Sequence, residues 1–531
     1  THQEFINDDG TSRVIIGDAA SANPQYHPSH VAGTVGAGGV NISAKGMAPK
    51  SSIVAYTSSS DNSETISEHL NSGMLVCNHS YGVYLYTNSG EQNVPDWYPG
   101  CYIQESVNID NALYNNPYLL RVFSAGNAGG DSYSNGLGPG LDKITEGKTS
   151  KNSVLIANAS VGVQFTPFGA YISSATLAPS SSQGPTDDGR IKPDIAARGT
   201  NVTSCDNESD SSYAAASGTS MAAPSATGTI LLIQEHYNNV FGEFMKASTA
   251  KGLVCHTATD ESDIEGFTAV PNPGPDPFWG WGLLNAEFAV QTISDSQSNL
   301  AIIQENTLNN GETYSTTINV SDSQKLMATI CWTDRGGNSQ YEILNSPTPA
   351  LVNDLDLRIY DSTGAEFYPW KLDLNNLPAA VKGDNIVDII ERVEIETPAA
   401  GQYTITVSHK GNLTIPGNGP GGQGGVGPQD YSLIVTGGNM TLSTSENTLS
   451  ELMIWPNPAN DVINFQLPTL STNAAQLTMF DIQGRIVYDQ RIITDNSIFK
   501  GQIQTSNFEN GIYILNIKQA GIIITQKVII D

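Results

Sequence analysis

Between residues 1 and 293, short apolar runs alternate with helical patterns, and this alternation limits the fold more than any other feature of the chain. The runs SSIVAYTS, MLVCNHSY, YLLRVFSAGN and SVLIANAS are rich in β-branched residues and are predicted to be buried strands. SETISEHLNSG and IDNALYNN, which lie between them, are predicted to be helices. Such alternation indicates an α/β domain with a mostly parallel sheet, whose chemistry is expected at the C-terminal ends of the strands.

After about residue 299 the pattern changes to short alternating strands separated by turn residues, such as KLMATICW, LDLRIYDS and GQYTITVSHK. This pattern predicts an all-β sandwich. A polar linker and a third, smaller all-β module follow. We therefore predict an α/β domain at residues 1–296, a β-sandwich at 297–440, a linker at 441–450 and a small β domain at 451–531.

Composition excludes several classes of partner. The chain has 531 residues, with 24 Lys and Arg against 53 Asp and Glu, and a net charge of −29. So acidic a surface argues against nucleic acid or an anionic membrane as a partner. The sequence contains no run of about 18 consecutive apolar residues, the length that a membrane-spanning helix needs. The five cysteines form no C-x-x-C motif. Because their number is odd, at least one thiol is free, and one or two disulfides are possible.

The segment ASGTSMAAPSATGTILLIQEHY, which begins at Ala216, contains a candidate nucleophile, Ser220. Gly218 allows a tight backbone turn, and the apolar spacing after Ser220 is helical. Ser220 is therefore predicted at a helix N-terminus, where backbone N–H groups can stabilise an anion. On this segment alone, a simple helix cap is an equally good interpretation.

Two further segments contain candidate catalytic side chains. HPSHVAGT begins at His27, and its two histidines could also be a metal pair or ordinary surface residues. VFSAGNAGG places Asn127 directly after a buried strand, where a side-chain amide can donate to an oxyanion during acyl transfer. Taken alone, Asn127 is better explained as a turn residue.

Together these segments resemble the subtilisin family of serine peptidases. The run from Gly218 to Pro224 matches the family's Gly-Thr-Ser-Met-Ala-x-Pro motif without exception, whereas Pro28 and Ser29 depart from its His motif. KGMAPKSSIVAY, SSQGPTDDGRIKPDIAARGTNVTS and WGWGLLNAEFAV resemble further family segments in the same order. The resemblance implies that Ser220 is the nucleophile, His27 its general base and Asn127 an oxyanion-hole donor.

The resemblance also implies a cleft in which an extended peptide pairs with two strands. NHSYG resembles the substrate-pairing strand, and SAGN resembles the oxyanion strand. The substrate-binding residues implied in this way are Ser80, Tyr81, Gly82, Ser124, Ala125 and Gly126. The expected substrates are therefore extended peptides or proteins.

The resemblance does not locate the acid of the triad in this sequence. In the family an Asp precedes the His by about thirty residues, and only 26 residues precede His27 here. We expect that the acid lay just upstream of Thr1, because THQEF resembles a segment that follows the family's Asp. Asp8 and Asp9 are the rival candidates, although no apolar strand of adequate length precedes them.

The two β regions carry resemblances of their own. The run from TICWTD to ERVEI resembles a β domain of certain subtilisin relatives that often holds calcium, so structural calcium is predicted at Asp354, Asp356 and Asp384. Turn aspartates on an acidic surface are the equal alternative. WPNPANDVINF, FDIQGRIVY and NGIYILNI resemble the sorting domain of type IX secretion. A small carbohydrate- or protein-binding module is the alternative for this segment.

These observations predict a secreted or surface-attached serine endopeptidase that needs no cofactor for catalysis and is exported by the type IX machinery. The alternative is a catalytically impaired relative that binds peptides or surface partners through the same cleft. A third option is an autolysis product whose N-terminal piece stays associated.

Overall fold

The computed structural model of the chain describes residues 2–18, 25–87, 89–166, 169–260, 273–321, 324–416, 424–438, 441–442, 453–468, 474–481, 485–493, 498–519 and 522–530. The chain divides into two compact units, Thr1–Leu442 and Ser443–Asp531. The predicted linker at 441–450 lies almost wholly outside the described residues, so its boundaries stay a prediction.

The first part of the larger unit alternates helices with short strands, as predicted. Its helices are α1 (Tyr26–Gly36), α2 (Asp61–Ser72), α3 (Gln104–Tyr114), α4 (Thr219–Phe241), α5 (Ala247–His256) and α6 (Ala286–Gln297). Its strands are β1 (Val14–Ile16), β2 (Ile53–Ala55), β3 (Val76–His79), β4 (Leu120–Ser124), β5 (Val154–Thr166), β6 (Gly169–Leu177), β7 (Ile195–Arg198), β8 (Val202–Cys205) and β9 (Tyr213–Ala216).

The central sheet of this part is mostly parallel. β3, β4, β5 and β7 pair in parallel, and β6 folds back as an antiparallel extension of β5. Every residue of β4 is buried, as expected for a strand covered on both faces. The sequence prediction of an α/β domain is confirmed, and the C-terminal ends of β3 and β4 emerge at the same edge of the sheet.

The second part of the larger unit contains strands and no helix among its described residues. The strands are β10 (Ile302–Leu308), β11 (Tyr314–Val320), β12 (Leu326–Trp332), β13 (Asp354–Asp361), β14 (Glu366–Phe367), β15 (Trp370–Leu372), β16 (Ala380–Lys382), β17 (Ile390–Ile395), β18 (Gly401–Lys410), β19 (Gln429–Thr436) and β20 (Thr441–Leu442). They form a four-stranded sheet, a five-stranded sheet and a two-stranded sheet, all antiparallel. The all-β prediction is confirmed, and the sandwich arrangement stays a prediction.

The two parts of the larger unit share one hydrophobic core, which includes residues of α4, α5, β12 and β19. Buried charges also cross this junction. The Lys151 ammonium lies 3.1 Å from the Asp334 carboxylate and donates to the carbonyl of Ala350. The Arg392 guanidinium donates to the carbonyl of Cys255. Residues 1–442 therefore form one compact unit rather than two loosely tethered domains.

The smaller unit is built from antiparallel strands and has its own hydrophobic core. Its strands are β21 (Met453–Trp455), β22 (Val462–Pro468), β23 (Ala474–Asp481), β24 (Ile486–Ile493), β25 (Ile498–Gln504), β26 (Gly511–Gln519) and β27 (Ile522–Ile530). They form a three-stranded and a four-stranded sheet. This agrees with the small all-β module predicted for this segment.

All five cysteines are free thiols, so neither of the disulfides that the sequence left open is formed. Four of the five are buried, and burial raises the pKa of their thiols, to about 12 for Cys101, Cys205 and Cys331. A high thiol pKa disfavours the reactive thiolate. Among the described residues, no helix has the length and apolarity needed to cross a membrane.

We predict that Lys151→Met destabilises the larger unit by about 3–5 kcal/mol, because it leaves the buried carboxylates of Asp110 and Asp334 without their cation. The measurement is equilibrium unfolding in urea, followed by tryptophan fluorescence. The matched control is Lys50→Met at an exposed position, which should change stability by less than about 0.5 kcal/mol. Equal effects of the two substitutions would contradict a structural role for the buried ion pairs.

Candidate active site

Ser220 lies in the first turn of α4, where the sequence predicted it. Gly218 is the N-cap residue of this helix, and the helix continues for 23 residues to Phe241. The Ser220 side chain is half-buried. Its hydroxyl lies 3.4 Å from the carbonyl oxygen of Ser80, and the Ser80 hydroxyl donates to the Ser220 carbonyl at 3.0 Å. Of the N–H groups in the first helical turn, that of Thr219 donates to the Asn127 side chain, and those of Met221 and Ala222 donate to the Gly218 carbonyl. The Ser220 N–H is therefore the one left to stabilise an anion beside this hydroxyl.

Asn127 lies next to the same helix end. Its side-chain oxygen accepts hydrogen bonds from the Thr219 backbone N–H at 3.0 Å and from the Thr219 hydroxyl at 3.1 Å. The Gly126 N–H donates in turn to the Thr219 hydroxyl at 3.2 Å. Because the oxygen of the amide is held by Thr219, its NH₂ group is directed away from Thr219. The structure thus brings Ser220 and Asn127 together.

His27 is the second residue of α1, and its side chain is exposed at the surface. A Cβ added at Gly228 of α4 would lie 3.0 Å from the carbonyl oxygen of Val35 in α1. Val35 and Gly228 are each eight residues beyond His27 and Ser220, respectively. The buried His30 contacts the carbonyl of Ala214 at 3.2 Å, in the strand that leads to Ser220. These contacts show that α1 packs against α4 and against the strand that leads to Ser220, and none of them joins His27 to Ser220 directly.

No carboxylate among the described residues contacts His27. Asp8 and Asp9, the two candidates within the chain, lie in an exposed turn. The Asp9 carboxylate accepts hydrogen bonds from the Thr11 N–H and hydroxyl. Although the His27 side chain is exposed, nearby protein atoms remove part of its hydration, and this desolvation alone lowers its pKa below the usual value. The described residues therefore bring together the predicted nucleophile and the predicted amide donor, and none of their carboxylates contacts His27.

The six predicted substrate-binding residues form two segments at one edge of the central sheet. Ser80, Tyr81 and Gly82 directly follow β3, and Ser124, Ala125 and Gly126 end β4 and continue from it. β3 and β4 are parallel neighbours in which His79 lies opposite Phe123. The Tyr81 hydroxyl donates to the carboxylate of Asp61 at 2.7 Å, which restrains the first segment. The two segments therefore lie side by side at this edge, and their role in substrate binding stays a prediction.

A charged group that the sequence analysis missed lies between these two segments. A Cβ added at Gly82 would collide with the Lys148 ammonium and lie 2.7 Å from a carboxylate oxygen of Glu146, and one added at Gly126 would lie 3.9 Å from the same ammonium. Lys148 is only 4% exposed. Burial lowers the pKa of Lys148, and the charges of Glu146 and Glu105 partly offset that effect. No local motif in TEGKTSKN predicts this contact.

The three aspartates predicted to bind calcium do lie together, and basic side chains lie among them. The Lys410 ammonium is 2.6 Å from Asp356, 3.0 Å from Asp384 and 3.4 Å from Asp354. The Arg358 guanidinium also contacts Asp356 and Asp384. Burial raises the pKa of Asp354 to about 6, and Lys410 opposes that shift. The cations that the structure shows at this cluster are protein side chains, and calcium there stays a prediction.

Two protein-family models match the chain, one in its first half and one at its C-terminus. Residues 4–282, more than half of the chain, match the model described as the subtilase family. Residues 453–531 match the model described as the secretion system C-terminal sorting domain. The second match confirms the predicted sorting domain, and with it export to the cell surface or the medium.

Relatives match over limited lengths. A protein described as serine protease/ABC transporter B family protein tagA, from Dictyostelium discoideum, is 24% identical over 304 residues, which are 50% of this chain and 16% of that protein. The C5a peptidase of Streptococcus pyogenes is 38% identical over 90 residues, which are 16% of this chain and 8% of that one. The chain therefore spans 16% or less of the length of these relatives.

Solved structures of proteases also match about half of the chain. A lanthipeptide protease gives a TM-score of 0.37 at 19% identity, covering 55% of this chain and 82% of its own. The self-cleaved protease domain of PatA gives a TM-score of 0.35 at 17% identity, covering 53% and 89%.

We predict that the pKa of the His27 imidazole lies below its usual value of 6.5, because partial desolvation disfavours its charged form and no described carboxylate opposes that effect. The measurement is the pH dependence of the His27 ring signals in NMR spectra, assigned by comparison with His27→Gln. The matched control is His2→Gln, which removes a different histidine. A pKa clearly above 6.5 would show that a carboxylate does pair with His27.

Proposed function

Because the chain belongs to the subtilase family, we propose that it is an exported serine endopeptidase. In this proposal Ser220 is the nucleophile, His27 is the general base and Asn127 donates a hydrogen bond to the oxyanion. The pair of hydrogen bonds from Thr219 to the Asn127 side chain carries the proposal. It supports a fixed amide donor beside a serine at a helix N-terminus.

The proposed reaction is acyl transfer to Ser220 followed by hydrolysis. His27 accepts the proton of the Ser220 hydroxyl as the oxygen attacks a peptide carbonyl, and it then gives that proton to the leaving amine. The negative charge that develops on the carbonyl oxygen is stabilised by the Asn127 amide and the Ser220 N–H. Water then attacks the acyl-enzyme by the same route, and the free acid leaves.

Substrate would bind as an extended strand between the segments Ser80–Gly82 and Ser124–Gly126. Main-chain pairing with these segments gives affinity for any extended peptide, and a pocket between them gives selectivity. The Lys148 ammonium lies at both glycines that would form this pocket, whereas the Glu146 carboxylate lies at Gly82 and already accepts a hydrogen bond from the Val83 N–H. We therefore propose that the residue on the N-terminal side of the cleaved bond is preferentially acidic and that large aromatic side chains are excluded.

The second candidate function is peptide binding without efficient cleavage. The observation that favours it is the absence of a carboxylate in contact with His27 among the described residues. Without an orienting acid, the imidazole of such a triad adopts the wrong tautomer, and turnover falls by about 10⁴-fold. The cleft and its selectivity would be the same in both cases, so only the reactivity of Ser220 separates them.

We predict that a fluorophosphonate probe labels Ser220 and that Ser220→Ala abolishes the labelling. Asn127→Ala should slow peptide turnover by about 10²–10³-fold, the loss known for amide donors of this kind, one of which is in a subtilisin. Asn71→Ala, at an exposed position of α2, is the matched control and should not change the rate. The measurements are gel fluorescence and cleavage of a peptide library. Peptide binding without labelling would reject the peptidase in favour of the binder.

We predict that peptides with Asp or Glu before the cleaved bond are preferred over otherwise identical peptides with Lys or Phe. A hydrogen bond to a charged group contributes about 1.5–3 kcal/mol, so Lys148→Met should reduce the preference by about 10–100-fold. The exposed Lys45→Met is the charge-matched control. The measurement is kcat/KM across the peptide set, or Kd if the chain binds without cleaving. A preference for basic or aromatic residues would contradict this assignment.

A further inference from the structure

Side chains on one face of β3 and its continuation form a chain of hydrogen bonds that ends at Asp61 of α2. Cys77, His79 and Tyr81 are two residues apart and therefore point to the same side of an extended strand. The Cys77 sulfur lies 3.1 Å from Nε2 of His79, and Nδ1 of His79 lies 2.6 Å from the Tyr81 hydroxyl. The Tyr81 hydroxyl donates to the Asp61 carboxylate at 2.7 Å. The chain thus links the sheet to the helix beside it.

The chemistry of the carboxylate fixes the direction of every bond in this chain. A carboxylate only accepts hydrogen bonds, so the Tyr81 hydroxyl gives its single proton to Asp61. The Tyr81 oxygen then accepts from His79, so Nδ1 of His79 carries a proton. Nε2 of His79 is left as the acceptor for the Cys77 thiol. The arrangement therefore requires a neutral His79 that is protonated on Nδ1.

The surroundings of the chain keep its middle members neutral. Burial and the neighbouring Arg121 guanidinium lower the pKa of His79 well below its usual value. Loss of hydration raises the pKa of the half-buried Cys77 thiol to about 11. Loss of hydration and the Asp61 carboxylate raise the pKa of Tyr81. The Arg121 guanidinium lies 3.6 Å from the Asp61 carboxylate, so a compensated pair of charges lies at the outer end of a neutral chain.

β4 holds the ring of His79 in the plane that this chain requires. His79 lies opposite Phe123 in the pairing of the two strands, and the two rings stack at 4.8 Å with 27° between their planes. Arg121 lies opposite Cys77 in the same register. His79 is only 4% exposed, so its hydrogen bonds are shielded from water. Stacking restricts the ring to the plane in which Nδ1 faces Tyr81 and Nε2 faces Cys77.

The alternate side chains of the same strand point to α4. The Asn78 amide donates to the Ser80 hydroxyl at 3.0 Å and accepts a hydrogen bond from the Thr227 hydroxyl. The Ser80 hydroxyl donates to the Ser220 carbonyl, and the Ser80 carbonyl lies 3.4 Å from the Ser220 hydroxyl. The end of β3 is therefore held from two sides, by α4 through Asn78 and Ser80 and by α2 through the chain that ends at Asp61.

We propose that His79 and Asp61 are positioning residues for substrate binding. Acting through Tyr81, they fix the segment Ser80–Gly82, which is predicted to pair with the substrate. The pairing of β3 with β4 ends at His79, so side-chain bonds hold the segment beyond it. Side-chain bonds leave the backbone groups of the segment free for the substrate, and a segment held in advance removes an ordering cost from binding. This role rests on the proposed function, whereas the proton order of the chain does not.

The first test is the protonation state of His79 in the full chain at neutral pH. The measurement is the ¹H and ¹⁵N ring signals of histidine-labelled protein, with the His79 signals assigned by their loss in His79→Gln. We expect a neutral ring protonated on Nδ1, because the hydrogen bond made by one ring nitrogen sets the state of the other. A ring protonated on Nε2, or one that carries both protons, would overturn the proposal.

The second test is kinetic and uses Tyr81→Phe, which keeps the ring and removes the hydroxyl that joins His79 to Asp61. We expect KM for peptide substrates to rise about 10-fold and kcat to change less than about threefold, because the lost contact stabilises the bound substrate and the transition state equally. The matched control is Tyr513→Phe, which removes a hydroxyl bond of 2.7 Å in the smaller unit and should change neither constant. An effect of Tyr81→Phe no larger than that of the control would overturn the proposal.

Two substitutions of His79 separate positioning from packing. The amide of Asn places an N–H where Nδ1 lies, whereas the amide of Gln places it where Nε2 lies. His79→Asn should therefore keep KM within about threefold of the wild type, and His79→Gln should raise it about 10-fold. Thermal unfolding checks that both variants fold. Gln is closer to His in volume, so a Gln variant that performs at least as well as the Asn variant would show that His79 only fills space.

These results are separable from a failure of the proposed function. If the fluorophosphonate probe does not label Ser220, the same comparisons are made with Kd for the peptides in place of KM. A wild-type chain that is neither labelled nor binds peptides rejects the proposed function and, with it, this role of His79. A labelled chain whose KM is the same in Tyr81→Phe rejects the positioning role alone.

Discussion

The parallel pairing of β3 with β4 is the constraint on which the candidate active site depends. The register sets Val76 opposite Leu120 and His79 opposite Phe123, so both strands leave the sheet at the same level. The segments Ser80–Gly82 and Ser124–Gly126 therefore lie side by side at the edge of the sheet. A shift of one residue in either strand would turn its side chains to the opposite face of the sheet. Because β4 is buried on both faces, such a shift would be costly: each side chain would enter a space packed for a different residue.

The β strands after residue 300 contribute to this geometry from a distance. The Ala350 N–H donates to the Asp188 carboxylate, and the Ile191 N–H donates to the Asp388 carboxylate. Both bonds hold the segment that follows Ser182, which itself contacts the residue after Asn127. These are buried bonds between segments more than 150 residues apart in the chain. The β region therefore supports the candidate active site, which explains physically why residues 1–442 form one unit.

Local pattern was sufficient to predict β3 and β4 and the residues that follow them, but it did not predict the antiparallel return of β6 onto β5. Short β-branched runs predicted the strands, and the Gly before Ser220 with helical spacing after it predicted a helix N-terminus. The close contact of Lys148 with Gly82 could not be predicted, because it depends on how a loop without regular structure packs. The same applies to the contact of Tyr81 with Asp61, which depends on how α2 packs beside β3. At Asp354, Asp356 and Asp384 the acidic residues do come together, but no local pattern indicates that Lys410, from another strand, lies among them.

The form of the amide contact at Asn127 bears on whether the cleft serves catalysis or only binding. Peptide binding needs strand edges and a pocket, and it places no demand on an amide beside Ser220. Holding the Asn127 side chain through two hydrogen bonds from Thr219 costs conformational entropy that binding alone does not return. An oxyanion needs such a donor fixed in advance, because its benefit comes from avoiding reorganisation during the reaction. This part of the machinery also acts without the acid, since the oxyanion hole and substrate binding alone leave about 10³–10⁴-fold acceleration over water in such enzymes. The local structure around Ser220 therefore favours the peptidase over the binder.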